Sequence, residues 1–196
     1  MKDEQILDQL QLVQQEMGIK SKVRLLHYPM SQSLMLLDFR DVMIVLTELD
    51  YTEEELQLIF KHELTHYKHR DVMVNLLMIL VKSLHWFNPV AALACRETQE
   101  VGEMYCDYDV LNNQDQLYRV FYGETILIMI DCSKKTPITL TTCFYSEKFN
   151  LKRRIIGIMD SRLPKKFQSS SFLVVVSLLL LLASSVFVIE NPVAQV

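Results

Sequence analysis

The segment Thr52-Glu53-Glu54-Glu55 opens a helix that carries two histidines one turn apart, and this constrains the chain more than any other feature. A threonine followed three residues later by glutamate is a capping box, in which each side chain takes up a backbone N–H of the first turn. Downstream stands His62-Glu63-Leu64-Thr65-His66, an H-E-x-x-H pattern. Positions i and i+4 share a helix face. Two imidazoles so placed can grip one zinc ion, and the intervening glutamate can act on water at the metal. A fold that uses the pair must bury this helix and bring a further ligand from elsewhere, because a catalytic zinc takes three protein ligands and keeps one position open.

Asn88-Pro89 reads as an N-cap followed by proline at the first helical position. The helix it starts is expected to run to about Leu111, with Asn112-Asn113 ending it, and offers Glu97, Glu100 and Glu103. Glu103 stands out because Asp107 follows four residues later on the same face. Glu103 is expected to ligate the metal, and Asp107 to accept a hydrogen bond from the far nitrogen of a ligating histidine. An acidic face in solvent is the alternative for this pair. Glu63 is expected to be the general base, taking a proton from water and passing it to the leaving amine. His69, His27 and His85 are weaker candidates, with His85 beside Trp86 read as a packing or interfacial residue. Cys106 is expected to point to another helix sector as a partly buried thiol. Arg70-Asp71 is expected to form an ion pair or cap the next helix. Tyr105, Tyr108 and Arg96 are open candidates for stabilising an oxyanion.

Around these elements the pattern is α+β and mostly helical. A helix is expected over Asp3–Met17, stopped by Gly18. Aliphatic runs at Lys22–Tyr28, Ser33–Phe39 and Val42–Leu46 have strand lengths and suggest a small sheet. Asp71–Phe87 is long and apolar, and a core helix is favoured there over one at a membrane surface. Gln114–Asp131 reads as helix, Thr136–Tyr145 as extended, and Ser146 as the N-cap of a basic helix through Met159. The net charge of −4 carries no basic excess, so direct nucleic-acid binding is not expected. Four cysteines without C-x-x-C spacing, behind a polar start, point to free thiols in a reducing compartment.

From Phe167 to Ile189 no residue is charged, long enough for one membrane helix. Lys152, Arg153, Arg154, Arg162, Lys165 and Lys166 lie before it and Glu190 after it. By the positive-inside rule the body faces the cytoplasm. The expected organisation is a cytoplasmic metallopeptidase domain over 1–166, a transmembrane helix over 167–189 and a short extracytoplasmic tail over 190–196.

His62-Glu-Leu-Thr-His66, Arg70-Asp71, Asn75, His85-Trp86-Phe87-Asn88-Pro89 and Glu103-x-x-Cys106-Asp107-x-x-Val110-Leu111 together resemble the peptidase domain of BlaR/MecR-type sensor-transducers. Tyr145–Ile155 resembles the stretch before their last membrane helix. The resemblance implies a zincin-like, gluzincin-type zinc endopeptidase tethered to the membrane, with His62, His66 and Glu103 as zinc ligands and Glu63 as base. It implies a protein substrate, a cytoplasmic transcriptional repressor cleaved in antibiotic or cell-envelope signalling, and self-cleavage near the last span. Family members carry several membrane helices before this domain, and many carry a penicillin-binding sensor after it. No S-x-x-K acylation motif is present here. The signal is therefore expected from a separate sensor protein. A non-catalytic regulatory or interaction module is the alternative, and hydrolysis of a non-peptide substrate a third reading.

Overall fold

The computed structural model describes residues 2–27, 35–37, 42–46, 51–133 and 144–160. The elements are α1 (Lys2–Glu16), β1 (Val23–His27), β2 (Met35–Leu37), β3 (Val42–Leu46), α2 (Glu53–His69), α3 (Asp71–Leu84), α4 (Pro89–Val110), α5 (Gln116–Ser133) and α6 (Phe144–Met159). Among the described residues, six helices and a three-stranded sheet make a mostly helical α+β domain. In the sheet β3 is central: β1 pairs with it in parallel and β2 antiparallel, in the order β1-β3-β2.

The expected capping box forms at the head of α2. Thr52 Oγ1 accepts from Glu55 N at 3.2 Å, and Glu55 Oε2 accepts from Thr52 N at 2.8 Å. Three glutamates in the first turn and His66, Lys68 and His69 in the last complement the helix dipole. One face of α2 packs Leu56, Ile59, Phe60 and Leu64 against Leu10 and Val13 of α1 and Ile44 and Leu46 of β3. Fully burying each such side chain contributes roughly 1.5–3 kcal/mol. Another face puts Leu58 into a second cluster with Leu111, Tyr122 and Ile126 of the α4 end and α5, and Ile158 of α6. Held from both sides, α2 presents His62 to the interior. Gly123 on α5 faces α6, where an added Cβ would stand 2.9 Å from Cε at the flexible end of Met159.

Arg70 ends α2 in the left-handed region at φ 59° and its N–H bonds back to the last carbonyls of the helix. A single residue thus turns the chain into α3. Asn88 caps α4, accepting from Val90 N at 2.9 Å, with Pro89 opening the helix. Gly18 takes a left-handed φ of 69° after α1.

Three expectations are corrected. The 71–87 segment is not a core helix: of α3 only Met78 and Val81 are buried, and most of its apolar side chains face outward. Helix α6 starts at Phe144, so Ser146 lies inside it rather than capping it, and Phe144 and Tyr145 are helical rather than extended. The other residues of 136–145, and the span expected over 167–189, lie outside the described residues. Among those described, no helix is long and apolar enough to cross a membrane.

Candidate metal centre

His62 is buried and His66 nearly so, and their Nε2 atoms stand 3.1 Å apart. Glu103 of α4 reaches the same point. Its Oε2 is 3.8 Å from His62 Nε2 and its Oε1 3.7 Å from His66 Nε2. Of the three glutamates considered on α4, Glu103 is the one at the histidines. Glu100 is buried between Arg96 (3.0 Å) and Arg153 (2.9 Å), and Glu97 lies 3.5 Å from Arg153.

Each histidine is fixed through its far nitrogen. His66 Nδ1 meets Asp71 Oδ2 at 2.5 Å. His62 Nδ1 meets Tyr122 Oη at 2.8 Å, and Tyr122 donates to Asp107 Oδ1 at 2.7 Å. A phenol has one proton. With that proton on Asp107, the Tyr122 oxygen accepts from His62 Nδ1–H, which leaves the His62 Nε2 lone pair facing His66 and Glu103. The direct contact expected between Asp107 and a histidine is therefore corrected: Asp107 lies 3.6 Å from His62 Nδ1 and acts through Tyr122. Asp71, at the first turn of α3, takes the role expected of Asp107.

The electrostatics agree with this assignment. Burial, then the charges of Arg154 and His66, hold His62 well below the ordinary histidine range, so it is neutral. For His66 burial opposes the charge, but the Asp71 hydrogen bond and the Glu103 and Glu63 charges outweigh it and raise the pKa. His66 Nε2 lies 3.1 Å from His62 Nε2, and any proton held between the two must leave when a metal binds. Glu63 is buried on the same helix, and burial chiefly pushes its carboxyl up to about 7. A carboxyl titrating there suits a group that must both accept and return a proton near neutrality.

Arg154 of α6 closes the cluster. Its Nε and Nη2 donate to Asp107 Oδ2 (2.6 Å) and Oδ1 (2.9 Å), Nη1 lies 2.8 Å from Glu103 Oε2, and Nη2 donates to His62 Nε2 at 3.1 Å. A cation on the facing His62 and Glu103 atoms is what a converged donor set attracts. His62 Nε2 has one lone pair, so Arg154 Nη2 and a metal compete for it. Two neutral-capable imidazoles and a carboxylate, oriented from behind, fit zinc.

Cys106 corrects a further expectation. It is fully buried and lies against His62, with Sγ 3.3 Å from the His62 carbonyl oxygen and 3.4 Å from Nδ1. His62, His66 and Cys106 can also be grouped as three potential donors. The thiol, however, meets His62 at Nδ1, the nitrogen already bonded to Tyr122, and burial pushes its pKa well up. We assign it as a protonated thiol donating to the His62 carbonyl.

The remaining candidates fall elsewhere. His69 contacts Asp109 at 3.2 Å and lies against the Tyr105 ring, Arg96 pairs with Glu100, and Tyr108 is exposed. His85 is buried. The side chain of His27 lies outside the description. Tyr122 and Arg154 had no sequence signal as site residues: each is a lone residue on its own helix, 60 and 92 positions from His62.

Residues 1–158 match the model of the family described as BlaR1 peptidase M56. The regulatory protein BlaR1 of Bacillus licheniformis is 30% identical over 111 residues, covering 56% of this chain and 18% of the relative. The methicillin resistance mecR1 protein of Staphylococcus aureus is 33% identical over 119 residues, covering 58% and 20%. The regulatory protein BlaR1 of Staphylococcus aureus is 27% identical over 148 residues, covering 73% and 25%. The chain thus matches about a fifth to a quarter of the length of these relatives. With a match over 158 of its 196 residues, the chain belongs to the BlaR1 peptidase M56 family.

Proposed function

We propose that this chain is a zinc-dependent endopeptidase that cleaves a cytoplasmic regulatory protein, a transcriptional repressor. The observation that carries the reading is the convergence of His62 Nε2, His66 Nε2 and the Glu103 carboxylate within 3.1–3.8 Å. His62, His66 and Glu103 would hold the ion. Bound zinc supplies Lewis-acid chemistry, acidifying water and polarising a carbonyl. Glu63 takes a proton from the attacking water and returns it to the leaving amine. Tyr122 and Asp71 hold the two imidazoles with their Nε2 lone pairs inward. Asp107 and Arg154 brace Tyr122 and Glu103 from behind.

The apolar run at 167–189 is proposed to anchor the domain as a single membrane span with the site on the cytoplasmic side. A separate sensor protein is proposed to supply the signal in antibiotic or cell-envelope signalling, and the chain itself is proposed as a second substrate. A reporter fused after Val196 is expected outside the membrane and one at Met1 inside. The reverse result removes cytoplasmic repressor cleavage.

The second reading, a regulatory module without turnover, is favoured by one contact: Arg154 Nη2 on the His62 lone pair. Co-expression with a candidate repressor separates the two. Cleavage by the parent and its loss in Glu63→Gln supports the peptidase, whereas equal behaviour of both supports the module.

A further inference from the structure

The corner between α3 and α4 is apolar, outward-facing and free of carboxylates. Met78 and Val81 of α3 pack on Ala91 and Cys95 of α4, and this small core fixes the two helices together. Opposite it, α3 exposes Leu77, Ile79, Leu80 and Leu84 at 50–65%. The turn that follows carries Trp86 at 82% and Phe87 at 68%, their rings edge to face at 5.9 Å. An exposed apolar surface of this kind marks an interaction site.

Charge selects the partner. The chain has 24 Asp and Glu residues, yet none falls between Val72 and Arg96, where Lys82 and Arg96 are the charged residues. A surface without carboxylates suits low dielectric and anionic headgroups. Exposed Trp and Phe are residues that favour the boundary between water and acyl chains. Fourteen residues of helix extend about 21 Å, short of the roughly 30 Å hydrocarbon core. Such a helix lies along a bilayer, not across it.

We propose that the α3–α4 corner is a lipid-docking surface, in which the Leu77–Leu80–Leu84 face and the Trp86-Phe87 tip enter the acyl region of a bilayer. The docked face belongs to the domain itself and is distinct from the run at 167–189. It does not depend on the metal site being catalytic. It would hold α3, which begins at Asp71 behind His66, against the membrane, so that the metal centre sits close to the lipid surface.

Trp86 is the chain's one tryptophan, so its fluorescence reports on this corner alone. The full chain is reconstituted into vesicles of phosphatidylcholine and phosphatidylglycerol, with or without phosphatidylcholine brominated on its acyl chains. The expected result is blue-shifted emission, at least two-fold quenched by the brominated lipid and insensitive to aqueous iodide. Leu80→Asp, at an exposed position, is expected to lose at least half of that quenching while retaining the parent's metal content. Emission that iodide quenches and brominated lipid does not overturns the proposal, even if the chain floats with the vesicles through 167–189. Shielding from both quenchers also overturns it, and assigns the surface to a second copy or to another protein segment.

Discussion

His62 Nδ1 and Tyr122 Oη lie 2.8 Å apart, linking the H-E-x-x-H helix to α5 across 60 residues. Tyr122→Phe keeps the ring in its fully buried place but removes the hydroxyl that both accepts from His62 and donates to Asp107. Its expected effect is a 10- to 100-fold loss of zinc affinity, the usual cost of losing a hydrogen bond behind a metal-bound histidine. Competition against a chelating dye measures this, with circular dichroism showing the fold retained. An unchanged affinity would mean that Tyr122 packs but does not orient.

Glu63 couples the site to folding. Its carboxyl ionises at about 7 in the folded chain against 4.5 as a free group, chiefly because it is buried. Between those values the folded chain keeps a proton that the unfolded chain has lost. Stability therefore falls as pH rises from 4.5 through 7. Glutamine at 63 has no proton to lose. In the metal-free protein, Glu63→Gln is expected to be more stable than the parent by about 3 kcal/mol near pH 8. The gap should close below pH 4.5. Urea titrations in the presence of chelator test both ends, and a variant less stable than the parent at the alkaline end contradicts the burial assignment.

Asp107 is as dependent on Arg154 as Arg154 is on it. Two guanidinium donors reach its carboxylate at 2.6 and 2.9 Å, and the carboxylate is 4% exposed. Arg154→Ala leaves that charge buried without its cation, which costs about 3–5 kcal/mol. Arg154→Lys restores charge without the paired donors and should recover part of it. A chemical-denaturation midpoint unchanged in Arg154→Ala would contradict the pairing.

Local signals made much of this fold readable. Thr52 with Glu55 marks the start of α2, Asn88-Pro89 that of α4, and the i, i+4 spacing puts His62 and His66 on one face. Glu103 was found by the same logic, since Asp107 repeats its face one turn on. Arg154 and Tyr122 were not, because no local spacing records which single residues of α5 and α6 a third helix will meet. The sequence offers Asp71 only as a partner of Arg70 or a cap of α3. Its meeting with His66 depends on the left-handed turn at Arg70, a conformation that a non-glycine residue rarely announces. The apolar pattern of α3 misled for a different reason: hydrophobicity at helical spacing is the same whether or not the rest of the domain covers it.

On the proposed ligand set, His62, His66 and Glu103 hold a zinc ion and Cys106 does not. Metal analysis of the purified full chain separates the two donor sets. One zinc per chain is expected in the parent and in Cys106→Ser, with the metal lost from His62→Ala and strongly depleted in Glu103→Gln. Zinc retained by Glu103→Gln and lost from Cys106→Ser would contradict it.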